Sequence, residues 1–161
     1  MEFRNKYWFL NNMYPCQVTI AMDDGNYTFE CAEAAFHACK NQDEVDQFLG
    51  VDGFEARRRG ENVMATTDSR AAWDSLKDDI MEYVVRAKFE QHSDLMRQLL
   101  NVKGDIVDED TWKDDYWGAY KKLDYVEEQS RQPVYKMIGE NKLGKILTKI
   151  RDENITNEVK K

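Results

Sequence analysis

Proline is almost absent from this chain and glycine is sparse, with 2 Pro and 8 Gly in 161 residues. Neither residue is clustered, which excludes collagen-like, low-complexity and linker-rich chains. The longest apolar runs extend over only a few residues, far short of the ~20 that a bilayer-spanning helix needs, so we expect no membrane segment. What remains, with 42% hydrophobic and 34% charged residues, is the composition of one globular domain of ordinary core volume.

Cysteine and histidine are few as well. The three cysteines, Cys16, Cys31 and Cys39, are odd in number and match no zinc-finger spacing, so we expect reduced, buried thiols. His37 and His92 lie far apart in the sequence. The sequence therefore predicts neither a metal site nor a cofactor.

The charge balance is acidic: 31 Asp and Glu against 23 Lys and Arg leave a formal charge of −8. This speaks against a surface that binds nucleic acid over its whole extent, although a local basic cleft stays open, and the basic charge concentrates in residues 136–161. The N-terminal residues show no signal-peptide pattern. We expect a cytoplasmic protein that is a monomer.

Strand-like segments are confined to the first thirty residues. They are residues 7–10, 18–20 and 26–29, the last two joined by a turn at residues 23–25. From Cys31 onward the apolar period changes, which predicts a helix of about ten residues. The sequence thus predicts an antiparallel hairpin followed by a helix.

Helical periodicity dominates the rest of the chain. One amphipathic stretch contains Leu76, Ile80, Met81, Val84 and Ala87, and a second follows Ser93, a possible N-cap, with Leu95, Leu99 and Leu100. A last helix, after Gly139, contains Leu143, Ile146, Leu147 and Ile150. We expect an acidic surface loop at residues 105–115. The predicted fold is α+β, a mainly α-helical single domain (residues 1–153) with a small antiparallel sheet near its N-terminus and a polar tail (residues 154–161).

Glu33 and Lys40 form the first pair with chemical content. Seven helical steps make about 700°, so both side chains leave the helix in nearly the same direction, about 10.5 Å apart along its axis. An acid and an amine at the edge of the core can converge on one ligand and feel partial desolvation. The alternative is an ordinary solvated helix face.

Three other patterns have both a functional and a structural interpretation. Residues 114–118, with Trp73, Trp112 and Tyr120, offer aromatic rings for a nucleobase and carboxylates for ribose hydroxyls, or simply core packing. Residues 57–60 offer arginines for phosphate, or a solvated charge run. Residues 139–144 offer backbone N–H groups for a phosphate or sugar oxygen, or a turn with an N-cap.

Several ordered motifs resemble one family. Residues 9–16, FLNNMYPC, resemble its F-L-S-N-F-Y-P-C, and residues 29–40, FECAEAAFHACK, resemble its Y-P-S-V-E-H-x-Y-Q-A-x-K. The match continues through residues 56–60, Trp73-Asp74, Lys88-Phe89, residues 114–118, residues 141–144 and Arg151. This is the YbiA-like, or NADAR, family of N-glycosidases that act on NAD-related and ADP-ribose-related nucleotides, and the resemblance extends from about residue 7 to residue 151.

The resemblance implies metal-independent hydrolysis of a ribose N-glycosidic bond without a cofactor. Glu33 matches the family's acid, which assists sugar opening or protonates the leaving base, and Lys40 matches the lysine that attacks C1′ to form a Schiff base. The substrate-binding positions that it implies are Asn12, Arg58, Trp73, Asp114, Trp117, Gly118, Asn141, Leu143 and Gly144.

Two substrates are compatible with the resemblance. One is ADP-ribosylated guanine in DNA, and the other is a ribosylamino-pyrimidine intermediate of riboflavin synthesis. Small residues near the acid (Ala34, Ala35), His37 in place of a family Gln and an inserted Lys-bearing segment between Trp117 and Asn141 predict a wider pocket with a lid or nucleic-acid contact, which favours the guanine adduct. A non-catalytic module that binds ADP-ribose or NAD is the alternative of another class, although Glu33 and Lys40 argue against it.

Overall fold

A computed structural model describes residues 1–63, 70–109 and 113–161. The fold is α+β and mainly helical, with small antiparallel sheets, which confirms the predicted fold class. Its elements, in chain order, are a first 3-10 helix (Asn5–Leu10), β1 (Val18–Met22), β2 (Gly25–Phe29), α1 (Ala32–Ala38), a second 3-10 helix (Gln42–Phe48), α2 (Gly53–Asn62), α3 (Arg70–Gln91), α4 (Ser93–Leu100), β3 (Tyr120–Val126), β4 (Pro133–Ile138) and α5 (Lys142–Val159).

These elements belong to two compact units. The helical unit comprises Trp8–Asn101, and the hairpin unit comprises Met1–Tyr7 together with Val102–Lys161. None of the helices in the described ranges combines the length and the apolar character that crossing a membrane requires.

The helical unit begins with the predicted hairpin of β1 and β2. The two strands pair from Val18 opposite Phe29 to Met22 opposite Gly25, across the predicted turn. Val18 and Ile20 are buried while Thr19, between them, is exposed, the alternation of a strand that covers a core on one face. Residues 7–10, predicted as a third strand, instead belong to the first 3-10 helix, so that prediction is wrong. A short apolar run has no period that separates a strand from a helical turn.

Helix α1 occupies the core of the helical unit. It packs against α2, α3, the second 3-10 helix and both strands of the hairpin. Such close approach on several sides requires small side chains, and its buried residues are mostly alanines: Ala32, Ala34, Ala35, Phe36, His37 and Ala38. At seven residues it is shorter than the predicted ten, and it ends before Lys40.

Helices α3 and α4 complete this unit at the predicted places. The buried stripe of α3 consists of Met81, Val84, Val85, Lys88 and Phe89. Leu76, predicted as a core residue, is 51% exposed, so the stripe starts more than one turn later than the periodicity suggests. The N-cap of α4 is His92 and not Ser93, which is the first helical residue.

The hairpin unit contains a second antiparallel hairpin that the sequence does not reveal. Strands β3 and β4 pair from Tyr120 opposite Ile138 to Val126 opposite Pro133, with a register shift between Leu123 and Tyr125. Most of their side chains are exposed. The inserted segment therefore forms an antiparallel hairpin with one irregularity, and its role as a lid or nucleic-acid contact stays a prediction.

Helix α5 supplies the apolar face of the hairpin unit as predicted. Leu143, Leu147 and Ile150 are buried, together with Ile106 from the acidic stretch, which is irregular in its described part. Asp110, Thr111 and Trp112 of that stretch lie outside the described residues. The helix continues to Val159, so most of the predicted polar tail is helical, with exposed side chains from residue 155 onward.

Candidate active site

The predicted site residues fall into two groups, one in each unit. Glu33, Lys40, Trp73, Asn12 and Arg58 belong to the helical unit. The other group, in the hairpin unit, is Asp114, Trp117, Gly118, Asn141, Leu143 and Gly144.

Glu33 lies in the first turn of α1, where a carboxylate is favoured by the helix dipole. Its backbone N–H donates to the carbonyl of Asn12 at 2.9 Å, and its side chain is 16% exposed. One helical turn later, His37 places Nε2 2.9 Å from Oε1 of Glu33. Glu33 and the imidazole of His37 therefore form a nearly buried pair in the candidate site.

The ring of His37 is enclosed on several sides. It stacks on Phe48 with 6.2 Å between ring centroids, and it meets the edge of Phe36 at 5.5 Å. Gly60 of α2 lies against the ring, because a Cβ built there would approach Nδ1 to 2.2 Å. Nδ1 is buried and has no hydrogen-bond partner among the residues that the structure describes.

Lys40 follows the end of α1 by two residues. The N–H of Lys40 donates to the carbonyl of His37, and Cys39 keeps right-handed helical angles, so the backbone continues the turn of the helix. The Lys40 Nζ atom donates to the carbonyl of Gly60 at 3.1 Å. Partial burial lowers the pKa of the Lys40 ammonium, and the negative charges of Glu33 and Glu61 oppose this shift. Glu33 and Lys40 thus share one electrostatic environment, although the regular helix from which their spacing was argued ends at Ala38.

Trp73 of α3 forms an aromatic wall beside the amine. Its indole is 6.0 Å from Nζ of Lys40 and 5.3 Å, centroid to centroid, from the ring of Phe36. Trp73 is half-buried, so one part of the indole packs on the core while another part faces outward. A flat ring next to an amine of lowered pKa is suited to hold the base or sugar of a nucleoside.

Asn12 is buried beside this group, at 6% exposure. Its Nδ2 donates to the thioether sulfur of Met81 at 3.2 Å, and its Oδ1 is buried without a partner among the described residues. A buried amide oxygen in this condition has an unused capacity to accept a hydrogen bond. That Asn12 binds substrate stays a prediction.

The guanidinium of Arg58 is already paired with the carboxylate of Glu55. Its guanidinium is 65% exposed and donates through Nε to Glu55 at 3.0 Å. Arg59 binds the same carboxylate, and the two arginines lower the pKa of Glu55 to about 2. A phosphate would have to compete with Glu55, so the phosphate role of Arg58 stays a prediction.

The residues of the second group lie together in the hairpin unit, where residues 114–118 are hydrogen-bonded to one another and to the start of α5. The Oδ1 atom of Asp114 accepts from the N–H groups of Tyr116 and Trp117, both at 2.9 Å. The next carbonyls accept N–H groups from the start of α5: Glu140 to Asp115, Asn141 to Gly118, Lys142 to Tyr116 and Leu143 to Trp117. The structure thus brings all six predicted residues of this unit together.

These hydrogen bonds bear on one sequence hypothesis. Backbone N–H groups of residues 139–144 are candidates to bind a phosphate or sugar oxygen, and in the structure those of residues 140–143 donate to carbonyls of residues 115–118. Asn141 also has a structural role, since its side chain accepts from the N–H of Asp108 at 2.9 Å and donates to the carbonyl of Ile106 at 3.0 Å. Gly144 is required because a Cβ there would lie 2.3 Å from the Ile106 carbonyl. These contacts agree with the alternative interpretation, a turn before a helix, and substrate binding by Asn141, Leu143 and Gly144 stays a prediction.

His37 is the site residue that the sequence hypothesis missed. In the sequence, His37 stands out only as a departure from the family motif and as a histidine far from the other one. The available signal was its position four residues after Glu33 on a predicted helix, a spacing that places two side chains in contact.

A metal site and a reactive cysteine are two other kinds of catalytic centre that the described residues could contain. No group of three His, Cys, Asp or Glu side chains there is arranged to hold a metal ion. The three cysteines are free thiols, of which Cys31 is buried and the other two are half-buried. Burial raises the pKa of Cys31 to about 11 and that of Cys39 to about 12, so both stay protonated at neutral pH.

Several curated proteins are similar to this chain. N-glycosidase R617 of Acanthamoeba polyphaga mimivirus is 39% identical over 82 residues, which is 51% of this chain and 46% of that protein. N-glycosidase YbiA of Shigella flexneri is 37% identical over 98 residues, 59% of each protein. Riboflavin biosynthesis protein VVA0006 of Vibrio vulnificus is 27% identical over 148 residues, 90% of this chain and 35% of that protein. The chain spans about half the length of the first two relatives.

Structural and family comparisons agree with this similarity. The NMR structure of E. coli YbiA superimposes with a TM-score of 0.70 and 23% identity, covering 100% of this chain and 88% of the other, so the two share a fold. The model of the NADAR domain matches residues 2–154. Because that match covers nearly the whole chain, this protein belongs to the NADAR family.

Proposed function

We propose that this protein is an N-glycosidase that hydrolyses the bond between C1′ of a ribose and the nitrogen of a base. The observation that carries the proposal is the amine of Lys40, whose pKa is lowered by burial, in a group with Glu33 and Trp73. Relatives named N-glycosidases support the same reaction type. A module that only binds nucleotides has no need for an amine prepared in this way.

In the proposed reaction Lys40 is the nucleophile. The ribose ring opens as the C1′–O4′ bond breaks, O4′ takes a proton from solvent and the base nitrogen forms an iminium with C1′. The neutral amine of Lys40 then adds to C1′ of this iminium. The proton lost by the amine passes through the Glu33 carboxylate to the leaving nitrogen, the C1′–N bond breaks, and an imine remains between Lys40 and C1′. Water then adds to the imine and releases the sugar aldehyde and the free amine.

For the substrate we propose ADP-ribosylated guanine in DNA. The indole of Trp73, half-buried beside the Lys40 amine, supports a site that can stack on a leaving base. Ala34 and Ala35, which were predicted to widen the pocket, are instead fully buried in the packing of α1. The second candidate is a ribosylamino-pyrimidine intermediate of riboflavin synthesis. It is favoured by the relative named as a riboflavin biosynthesis protein, whose similarity extends over 90% of this chain.

The substrate is tested by offering the full chain both compounds. The protein is incubated with an oligonucleotide carrying ADP-ribosylated guanine and, separately, with the ribosylamino-pyrimidine nucleotide, and kcat/KM is compared. Faster turnover of the oligonucleotide is expected. Equal rates, or a preference for the pyrimidine, would contradict the proposed substrate, and binding of ADP-ribose without turnover of either compound would support a non-catalytic module.

The covalent step is tested by reduction during turnover. Borohydride should trap a sugar adduct on the peptide that contains Lys40, and Lys40→Ala should abolish trapping and turnover. Lys103→Ala, an exposed lysine, serves as the matched control and should retain both. Glu33→Gln should lower the rate ~10²–10⁴-fold, the usual worth of proton transfer by a side chain. If Lys40→Ala keeps near-normal turnover, water attacks C1′ directly and the covalent step is wrong.

A further inference from the structure

The two ring nitrogens of His37 have different surroundings in the Glu33–His37 pair. Nε2 of His37 lies 2.9 Å from Oε1 of Glu33, and the side chains are 10% and 16% exposed. The other ring nitrogen, Nδ1, is buried against Gly60 with no hydrogen-bond partner in the described part of the chain. The two nitrogens of one ring therefore meet opposite environments.

These environments select one form of the imidazole. The Nδ1–H tautomer would leave a buried N–H without an acceptor and would turn the Nε2 lone pair toward Oε1 of Glu33. A neutral ring with its proton on Nε2 leaves only a lone pair unpaired at Nδ1, and it donates to Oε1 of Glu33. In that form His37 is a donor, and Oε1 of Glu33 accepts the hydrogen bond.

We infer that His37 is a positioning residue, which holds Oε1 of Glu33 through its Nε2–H and leaves Oε2 as the oxygen that transfers the proton. The inference rests on the proposed function, in which Glu33 receives a proton from Lys40 and passes it to the leaving base. An ionised, oriented carboxylate is the state that this first transfer needs. His37 acts through Glu33 and contacts no substrate.

The surroundings of His37 support this assignment. Phe48 of the second 3-10 helix and Gly60 of α2 present an aromatic face and a backbone to the ring, and on α1 the adjacent Phe36 leads to Trp73 of α3. Glu33 of the pair acts electrostatically on the Lys40 amine, as does Glu61.

Two substitutions separate positioning from structural support. His37→Gln retains an N–H donor for Glu33, whereas His37→Leu has comparable bulk and no donor. We expect His37→Leu to lower kcat by about tenfold or more, part of the ~10²–10⁴ that proton transfer supplies, with little change in KM. His37→Gln should restore kcat to within about threefold of the wild type, since only the donor is needed.

Two outcomes for the His37 variants would contradict the positioning role. If His37→Leu retains wild-type kcat, or if His37→Gln is impaired as much as His37→Leu, the positioning role is wrong. Thermal unfolding of both variants shows whether equal amounts of folded protein are compared. A loss of stability shared by both, with kcat unchanged per folded molecule, indicates a structural residue only and also overturns the inference.

A measurement without substrate distinguishes this inference from the proposed function. Nitrogen-15 NMR of the His37 ring in the full chain should show the neutral form protonated at Nε2, and Glu33→Ala should remove that signature. A ring protonated at Nδ1, or an imidazolium, would overturn the inference whether or not the enzyme turns over. The expected ring signal together with no hydrolysis of any N-glycoside would instead mean that the proposed function has failed.

Discussion

A single amine accounts for most of the chemistry proposed here. Lys40 donates to the carbonyl of Gly60 and lies beside Trp73, where water solvates an ammonium less well than in bulk solution. A nucleophile must be neutral to attack carbon, so the same burial that lowers the pKa of Lys40 makes the reactive form more abundant near neutral pH. The negative charges of Glu33 and Glu61 limit this effect.

The rate should therefore depend on pH through Lys40, in a predictable direction. We expect kcat/KM to rise with pH and to level off below 10.5, the ordinary lysine value, because burial lowers the pKa of Lys40. Glu61→Gln removes a charge that raises this pKa, so the rising limb should move to lower pH. Glu90→Gln, at an exposed position of α3, is the matched control and should leave the limb in place. A limb that moves upward in Glu61→Gln would refute the electrostatic account.

At the residue scale, the sequence predicted which residues form a group better than it predicted their contacts. Glu33 and Lys40 were identified by their seven-residue spacing and by resemblance, and the structure places them in one electrostatic environment, while their catalytic roles stay predictions. His37 was missed because a histidine near a glutamate is uninformative until the helix and its burial are known. Asn141 and Gly144, predicted to bind substrate, also have structural roles at the start of α5 that the sequence did not reveal.

At the element scale, the helices and strands that could be predicted are those with a clear hydrophobic periodicity. Helices α1, α3, α4 and α5 and the first hairpin were all found where an apolar stripe or alternation marks them. Strands β3 and β4 were missed because most of their side chains are exposed on both faces, so no alternation between apolar and polar residues arises. Their pairing is visible only in three dimensions.

Lys88 shows how an element can be fixed by a buried charge-bearing group. Its Nζ on α3 donates to the carbonyls of Phe9 and Asn11 at 2.7 and 2.8 Å, and it is fully buried. A neutral amine has two N–H groups and satisfies both carbonyls, while the third proton of an ammonium gains little there. This agrees with a pKa that burial lowers from 10.5 to about 8.

This lowered pKa predicts a pH-dependent stability. Between pH 8 and 10.5 the unfolded chain holds a proton on Lys88 that the native protein has lost, so the free energy of unfolding should rise with pH in that window. The gain relative to Lys88→Met should be about 3 kcal/mol, since one pKa unit corresponds to about 1.4 kcal/mol. Urea unfolding at pH 7.5 to 10.5 measures it, with Lys103→Met as the exposed control. Parallel curves for the wild type and Lys88→Met would refute the lowered pKa.

Asn141 predicts an unusual order of stabilities. It has a left-handed backbone with φ of 52° and makes two side-chain hydrogen bonds to backbone groups. Asn141→Gly should lose about 2 kcal/mol for the two bonds, and Asn141→Ala about 1 kcal/mol more, because a Cβ disfavours this conformation. At Asn154, inside α5, the order should reverse, with Gly about 1 kcal/mol worse than Ala. Chemical unfolding of the four variants decides it, and the same order at both positions would contradict the role given to Asn141.

At the scale of the whole molecule, composition established the class of protein and left its organisation open. Few prolines and glycines and a net charge of −8 are compatible with many α+β folds. The sequence did not predict the division into a helical unit and a hairpin unit, because residues 1–7 belong to the same unit as residues 102–161, which are distant in sequence. Ordered motifs spread over both units identified the family, which no local pattern could have done.

The whole protein should work without a metal ion. The proposed reaction assigns the nucleophile to Lys40 and proton transfer to Glu33, so no Lewis acid is needed, and both histidines are engaged, His37 with Glu33 and His92 with the carbonyl of Gln17 at 2.6 Å. Turnover of the favoured substrate should be unchanged after dialysis against EDTA and unchanged again when Mg²⁺, Ca²⁺ or Zn²⁺ is restored. The acidic stretch at residues 105–115 holds six Asp and Glu residues, whose oxygens are the ligand type that a hard cation prefers, so Asp105→Asn is the variant to compare. Activity that falls in EDTA, returns with one cation and becomes insensitive to that cation in Asp105→Asn would replace the amine mechanism with a metal-assisted one.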